Sequence, residues 1–235
     1  MKKITLSILF LLAANTASAQ GQHVLHAFYF FNVTNPAGVV AAMDKFKSSS
    51  CGSQMPADVG LMAETINGSA SSTHFFIASY ETMADFSDAQ DLTQTCADAA
   101  TFRQEMASAA TPVTEYAIIP AIEVGDWTQD SVFMKFDMKV NDAELFAASW
   151  SELMDSNVQS GVISDSYGLN RILLGNSEAS HFVYIGAKDF ASLVELDTAV
   201  RGSSAFEEYQ SEVGDVRELL NTSLITPVMS WPKNQ

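Results

Sequence analysis

Basic residues are scarce in this chain: Lys and Arg number 12 against 28 Asp and Glu, for a net charge of −16. Nucleic acids and anionic lipid surfaces are held by clustered cations, so neither is expected as a partner. The acidic surface reads instead as a device for solubility. Cysteine is nearly absent, with only Cys51 and Cys96. Beyond the first 19 residues no apolar run approaches the roughly 20 residues of a membrane span, so no membrane insertion of the mature chain is expected. Also missing are a G-x-S-x-G elbow, a glycine loop that cradles phosphate, an H-E-x-x-H pair and any Cys/His cluster with metal spacing. These absences leave no expected metal and no expected cofactor.

What is present begins with an export signal. Lys2 and Lys3, the apolar stretch Ile4 to Leu12, and Ala17-Ser18-Ala19 match the basic, greasy and small-residue regions of a secretory leader. Residues 1–19 are therefore expected to be removed near Ala19, leaving a soluble periplasmic or secreted protein. Losing two lysines and no acid takes the net charge from −16 to −18. In an oxidising compartment Cys51 and Cys96 are expected to pair as a structural disulfide. Chain entropy makes such a bridge worth roughly 4 kcal/mol. A redox-active pair more often sits close together, as in C-x-x-C.

The chain then repeats itself about 107 positions on. Gly60, Thr73-His74-Phe75-Phe76-Ile77 and Pro120 recur as Gly168, Ser180-His181-Phe182-Val183-Tyr184 and Pro227. A regular offset over this length means two copies of one folding unit. In the second copy Val132, Met134, Phe136, Met138 and Val140 alternate with Phe133, Lys135, Asp137 and Lys139, the period of a strand. Ala27 to Val33 is its counterpart. Helix starts follow, through Asn35-Pro36 in one copy and through Asn141 with Glu144 in the other. The helices carry Val39, Ala42, Met43 and Phe46, and Leu145, Phe146, Ser149 and Leu153, at helical spacing. A strand, a polar turn, another strand, helical stretches from Glu81 and Lys188, and short closing strands at Tyr116–Ile119 and Leu224–Thr226 complete each copy.

The order is β-α-β-β-α-β, twice, which gives an α+β fold of two ferredoxin-like repeats. The helix-free face of each sheet needs a cover, and the other copy supplies it. The expected boundaries are 20–125 and 126–235, joined where Gly125-Asp126 breaks the pattern. This arrangement resembles the dimeric α/β-barrel superfamily in its tandem, single-chain form, on the strength of element order, duplication and the strand-terminal Pro120 and Pro227. The resemblance implies two sheets packed as a pseudo-symmetric barrel around a central cavity, usually a small-molecule site. It also allows cofactor-independent monooxygenase or cyclase/isomerase activity.

Two sets of residues are candidates for chemistry. His74 and His181 hold the same place in both copies, where they serve as a general base, as symmetric metal ligands, or as polar markers of the hairpin exit duplicated with their neighbours. The second set is the inner strand face: Phe28, Phe30 and Asn32 on one wall, Phe133, Lys135 and Asp137 on the other, with Arg171 and Glu64 on the second strands. An apolar wall with a few convergent polar groups is the usual form of a ligand pocket, although a one-residue change of register would turn any of these outward. His23 and His26 have x-x spacing that suits some metal sites but no neighbouring carboxylate, and a flexible N-terminus explains them equally well. Trp127, Trp150 and Trp231 read as packing residues. Three functions follow: a binder of a small apolar or amphipathic molecule between the sheets, an enzyme with a histidine base, or a stress or assembly protein. Nothing in the sequence separates a monomer from a homo-oligomer.

Overall fold

The computed structural model describes residues 23–176 and 178–234, so the expected leader lies outside the described residues. The first copy runs β1 (Leu25–Val33), α1 (Pro36–Lys47), β2 (Asp58–Ile66), β3 (His74–Tyr80), α2 (Met83–Thr95), α3 (Ala97–Ala109) and β4 (Ala110–Val124). The second runs β5 (Val132–Val140), α4 (Ala143–Gln159), β6 (Tyr167–Gly175), β7 (His181–Ala187), α5 (Phe190–Arg201), α6 (Ser204–Val213) and β8 (Arg217–Trp231). Each copy forms an antiparallel sheet, β4-β1-β3-β2 and β8-β5-β7-β6. The pairings β2–β8 and β4–β6 join the two into one closed barrel. Closure removes the open strand edges that a single repeat would expose.

The long strands β4 and β8 make this closure possible, because each pairs within its own sheet and with the other copy. They extend far beyond the short closing strands expected from sequence. Pro120 and Pro227 are not strand-terminal: both lie inside these strands, beside register shifts in β4–β6 and β2–β8. A residue without an N–H is tolerated there because the ladder is already interrupted.

The helices start where local chemistry allows. The Asn35 side chain accepts from Gly38 N, with Pro36 in the first turn of α1. In the second copy the cap is Asp142, whose carboxylate accepts from Leu145 N at 3.0 Å, and not the expected Asn141. Asn141 instead donates its backbone N–H to Val216, a tie to the segment entering β8. Helices cover the outer faces of both sheets over two apolar layers. Val39, Met43 and Phe46 of α1 pack on Leu25, Ala27 and Phe76. Phe146, Trp150 and Met154 of α4 pack on Phe136, Met138 and Val183, whereas Leu145 is exposed. Cys51 and Cys96 form a disulfide, tying the segment after α1 to the α2–α3 junction. Among the described residues no helix is long and apolar enough to cross a membrane.

Candidate functional site

Strand alternation places a third apolar cluster inside the barrel, with Phe28, Phe30 and Phe75 from the first copy meeting Phe133, Phe182 and Ile225 from the second. Phe28 is its hub, with ring centroids 5.4 Å from Phe75, 5.1 Å from Tyr116 and 5.7 Å from Phe182. These rings fill most of the interior and leave a cavity of about 70 Å³. That is room for several waters or one very small molecule, and well below the pockets that enclose drug-sized ligands. The polar groups on its lining are His26, Glu123, Lys135, Asn170 and Tyr184, with Trp127 between β4 and β5. An open cleft of about 750 Å³ lies at the barrel end where β2 begins and β8 finishes. It shares Met62 and Trp127 with the cavity, so these two side chains border both.

Among the described residues Lys135 is the lysine on the cavity lining, only 6% exposed. Its ammonium contacts the Asp137 carboxylate two residues along β5 and lies 4.9 Å from the Phe182 ring centroid. A buried ammonium is tolerable only with such a partner. Glu64 of β2 lies near this pair, and burial raises its pKa above the ordinary carboxylate value. The hydroxyl of Tyr116 is buried beside it without a hydrogen-bond partner. Burial, with Asp137 and Glu64 adding, pushes that phenol well above its ordinary pKa.

Toward the cleft the chemistry changes. His26 Nδ1 lies 2.7 Å from Ser79 Oγ, and burial, followed by His23, holds the imidazole pKa down at about 3. His26 is therefore neutral near pH 7. Burial also raises the Glu123 carboxyl. The Tyr184 hydroxyl is buried without a hydrogen-bond partner, and burial, then Glu123 and Asp130, raise its pKa. Asp130, beyond it, accepts from the hydroxyl and the backbone N–H of Ser166. Gly168 gives the Tyr184 ring its place: a Cβ there would stand 2.4 Å from Tyr184 Cε1.

The expected residues divide between the two faces. Phe28, Phe133 and Lys135 line the cavity, and Phe30 and Asp137 lie beside it in the barrel interior. Asn32 is exposed at the far end of β1 and does not reach the cavity. Arg171 is exposed, because Asn170 takes the inward position of β6 and its neighbour must point the other way. His74 and His181 precede the inward Phe75 and Phe182, so the same alternation turns both toward the helix side. Each lies 3.0 Å from the hydroxyl of the preceding residue, Thr73 or Ser180. His181 is buried with its ring edge-on to Phe146 of α4. Burial lowers the pKa of both histidines. Neither lines the cavity.

The cavity histidine is His26, which alternation carried back from Phe28 would have marked. Its neighbour His23 does gain a carboxylate, Asp58 at 3.0 Å, from a distant strand. Among the described residues the one trio of ligand-type side chains close enough for a metal is Cys51, Cys96 and Asp98, and its cysteines are bridged. Trp127 is half-buried on the cavity lining, whereas Trp150 packs in the outer core as expected.

No protein-family model matches the chain, and no curated protein matches it in sequence. Solved structures do resemble it. A "putative monooxygenase" from Lactobacillus acidophilus NCFM superposes with a TM-score of 0.59 at 11% identity, over 91% of this chain and 98% of that one. An anthrone oxidase-like protein gives 0.60 at 9% identity, over 91% and 95%. A heme-binding protein from Thermus thermophilus gives 0.53 at 8% identity, over 88% and 93%. At these identities the likeness is one of fold, and with the barrel closure above it shows that the chain adopts the tandem, single-chain form of the dimeric α/β-barrel fold.

Proposed function

We propose that the protein is an exported, soluble binder of a small, mainly apolar molecule, held inside the barrel and admitted past Trp127. One observation carries this reading: Tyr184, its hydroxyl buried without a hydrogen-bond partner, lines a cavity walled mainly by aromatic and aliphatic side chains. An unmade hydrogen bond costs about 1–3 kcal/mol, which a bound acceptor would recover. The disulfide agrees with an oxidising compartment.

A haem, as bound by one structural neighbour, does not fit the interior. The cavity of about 70 Å³ is far too small for the macrocycle. The outer pocket between β5, β7 and their helices, about 100 Å³, is also too small.

A catalytic use of the same cavity, as a cofactor-independent monooxygenase or isomerase, needs a base. His26 is better placed for that role than His74 or His181, because it lines the cavity. A pKa of about 3 makes it a weak base, which favours binding over catalysis.

Native mass spectrometry of protein purified from its own host tests the binder. A retained small molecule, lost on denaturation, is the expected result. Protein that is empty in repeated preparations from that source contradicts it and leaves the stress or assembly role.

A further inference from the structure

Two of the chain's four arginines, Arg201 and Arg217, border one pocket on the outside of the barrel. It lies between the second sheet and helices α4, α5 and α6, with a volume of about 100 Å³. Phe136, Leu153, Val183 and Phe206 give it apolar walls. In a chain of net charge −16, two guanidinium groups on one apolar pocket run against the prevailing charge.

The two arginines differ in what they already hold. Arg201 Nε donates to both carboxylate oxygens of Asp197, at 2.8 and 2.9 Å, four residues back on α5. Arg217 forms no ion pair with a carboxylate among the described residues. Its Nη2 donates to Gln210 Oε1 at 2.9 Å, and its guanidinium carbon lies 5.0 Å from the centroid of the Tyr209 ring. Its Nε is buried without a hydrogen-bond partner. A buried donor left unpaired costs about 1–3 kcal/mol, and more when it is charged. Two neighbouring residues of α6 therefore fix the position of this guanidinium and supply it with no counter-ion.

The second copy alone has this cation. Arg217 stands across the ladder from Val140, the last residue of β5, where the first copy sets Ala110 across from Val33 at the end of β1. The shared plan of the two repeats does not call for an arginine there.

Charge narrows the ligand. Asp197 neutralises Arg201, so a dianion finds no second free cation. A cationic ligand meets both guanidinium groups, and an uncharged one leaves Arg217 without a counter-ion. A carboxylate matches the guanidinium fork with two parallel N–H···O bonds. We infer that this outer pocket binds a small apolar monocarboxylate, its carboxylate on Arg217 and its hydrocarbon part among Phe136, Leu153 and Phe206. The pocket is separate from the barrel interior: Phe136 packs on the helix side of β5, while its neighbours Lys135 and Asp137 face inward.

Isovalerate, its amide and 3-methylbutylammonium share one shape and differ in charge. They are titrated into the full mature chain and followed by methyl NMR of Met138, Met154 and Ile185, which line the pocket. Isovalerate is expected to bind at least tenfold more tightly than either of the other two, with Met62, Ile118 and Ile225 inside the barrel unmoved. Arg217→Gln should bring isovalerate down to the level of the amide. Arg217→Lys keeps the charge without the fork, so it should weaken binding several-fold, and it serves if the first variant folds poorly. An amide that binds as well as the carboxylate overturns the inference, as does isovalerate binding that survives both variants. Shifts confined to the interior methyls, or none at saturating probe, overturn it too. Each of these results leaves the interior binding role standing, because that role does not use Arg217.

Discussion

Lys135 and Asp137 are paired along the inward face of β5, with the ammonium 4.9 Å from the centroid of Phe182. Removing the carboxylate leaves a cation buried among rings. Asp137→Leu is therefore expected to destabilise the fold by about 3–5 kcal/mol, whereas Lys135→Met together with Asp137→Leu should cost much less than the single change. Urea unfolding of the two variants checks this. Equal losses would mean that the pair is not coupled.

Acid stability depends on His26. In the unfolded chain the imidazole titrates near 6.5, and in the folded barrel burial, with His23, holds it at about 3. Between these values the unfolded state binds the extra proton, so stability falls as the pH drops through that window. Glu64, Glu123 and Asp130 act in the opposite sense. Burial raises each, so the folded state keeps protons that the unfolded state has released, and their contribution is present in acid and lost as pH rises. On going from pH 7 to pH 4.5 the wild-type chain should lose about 2.5 kcal/mol relative to His26→Gln, at 1.36 kcal/mol per pKa unit. Urea midpoints of both proteins at the two pH values give the comparison, and parallel curves would contradict it.

Gly168→Ala tests how tightly Tyr184 is seated. The added Cβ would stand 2.4 Å from the ring, so the ring or the β6 backbone must shift. A loss of about 1–3 kcal/mol is expected, as for other overpacked interiors. Chemical-shift changes should centre on Tyr184 and Trp127. An alanine variant of unchanged stability and spectrum would show that the ring is loosely held.

The Cys51–Cys96 disulfide closes a loop that already carries β2, β3 and α2. Replacing both cysteines by serine should cost about 2–4 kcal/mol without altering the barrel. Thermal unfolding with and without reductant measures the effect, and an unchanged midpoint would assign the bridge no stabilising role.

The element order was legible because the repeat announces it: alternation in β5 with β1 as its counterpart, a helix start, two strands around a polar turn. Alternation also sorted Phe28, Phe30, Phe133, Lys135 and Asp137 onto the inner face of their strands. Elsewhere it was silent. β4 and β8 serve two sheets and change register at Pro120 and Pro227, so no single period runs along them. Arg171 and the duplicated His74 and His181 looked chemical because they are polar, but one step along a strand puts them outside the barrel. His26 and Glu123 of the first copy meet Tyr184 of the second through closure, and none forms a local motif. Glu64 meets Lys135 for the same reason, across the seam between repeats.

The most direct test of the account is methyl NMR of Met- and Ile-labelled protein titrated with a small apolar probe, cyclopentane. The account predicts saturable shifts at Met62, Ile77, Ile118 and Ile225 inside the barrel, with Met83 on α2 and Ile163 in the outer core unmoved. Shifts confined to the outer methyls, or none at saturating ligand, would contradict it.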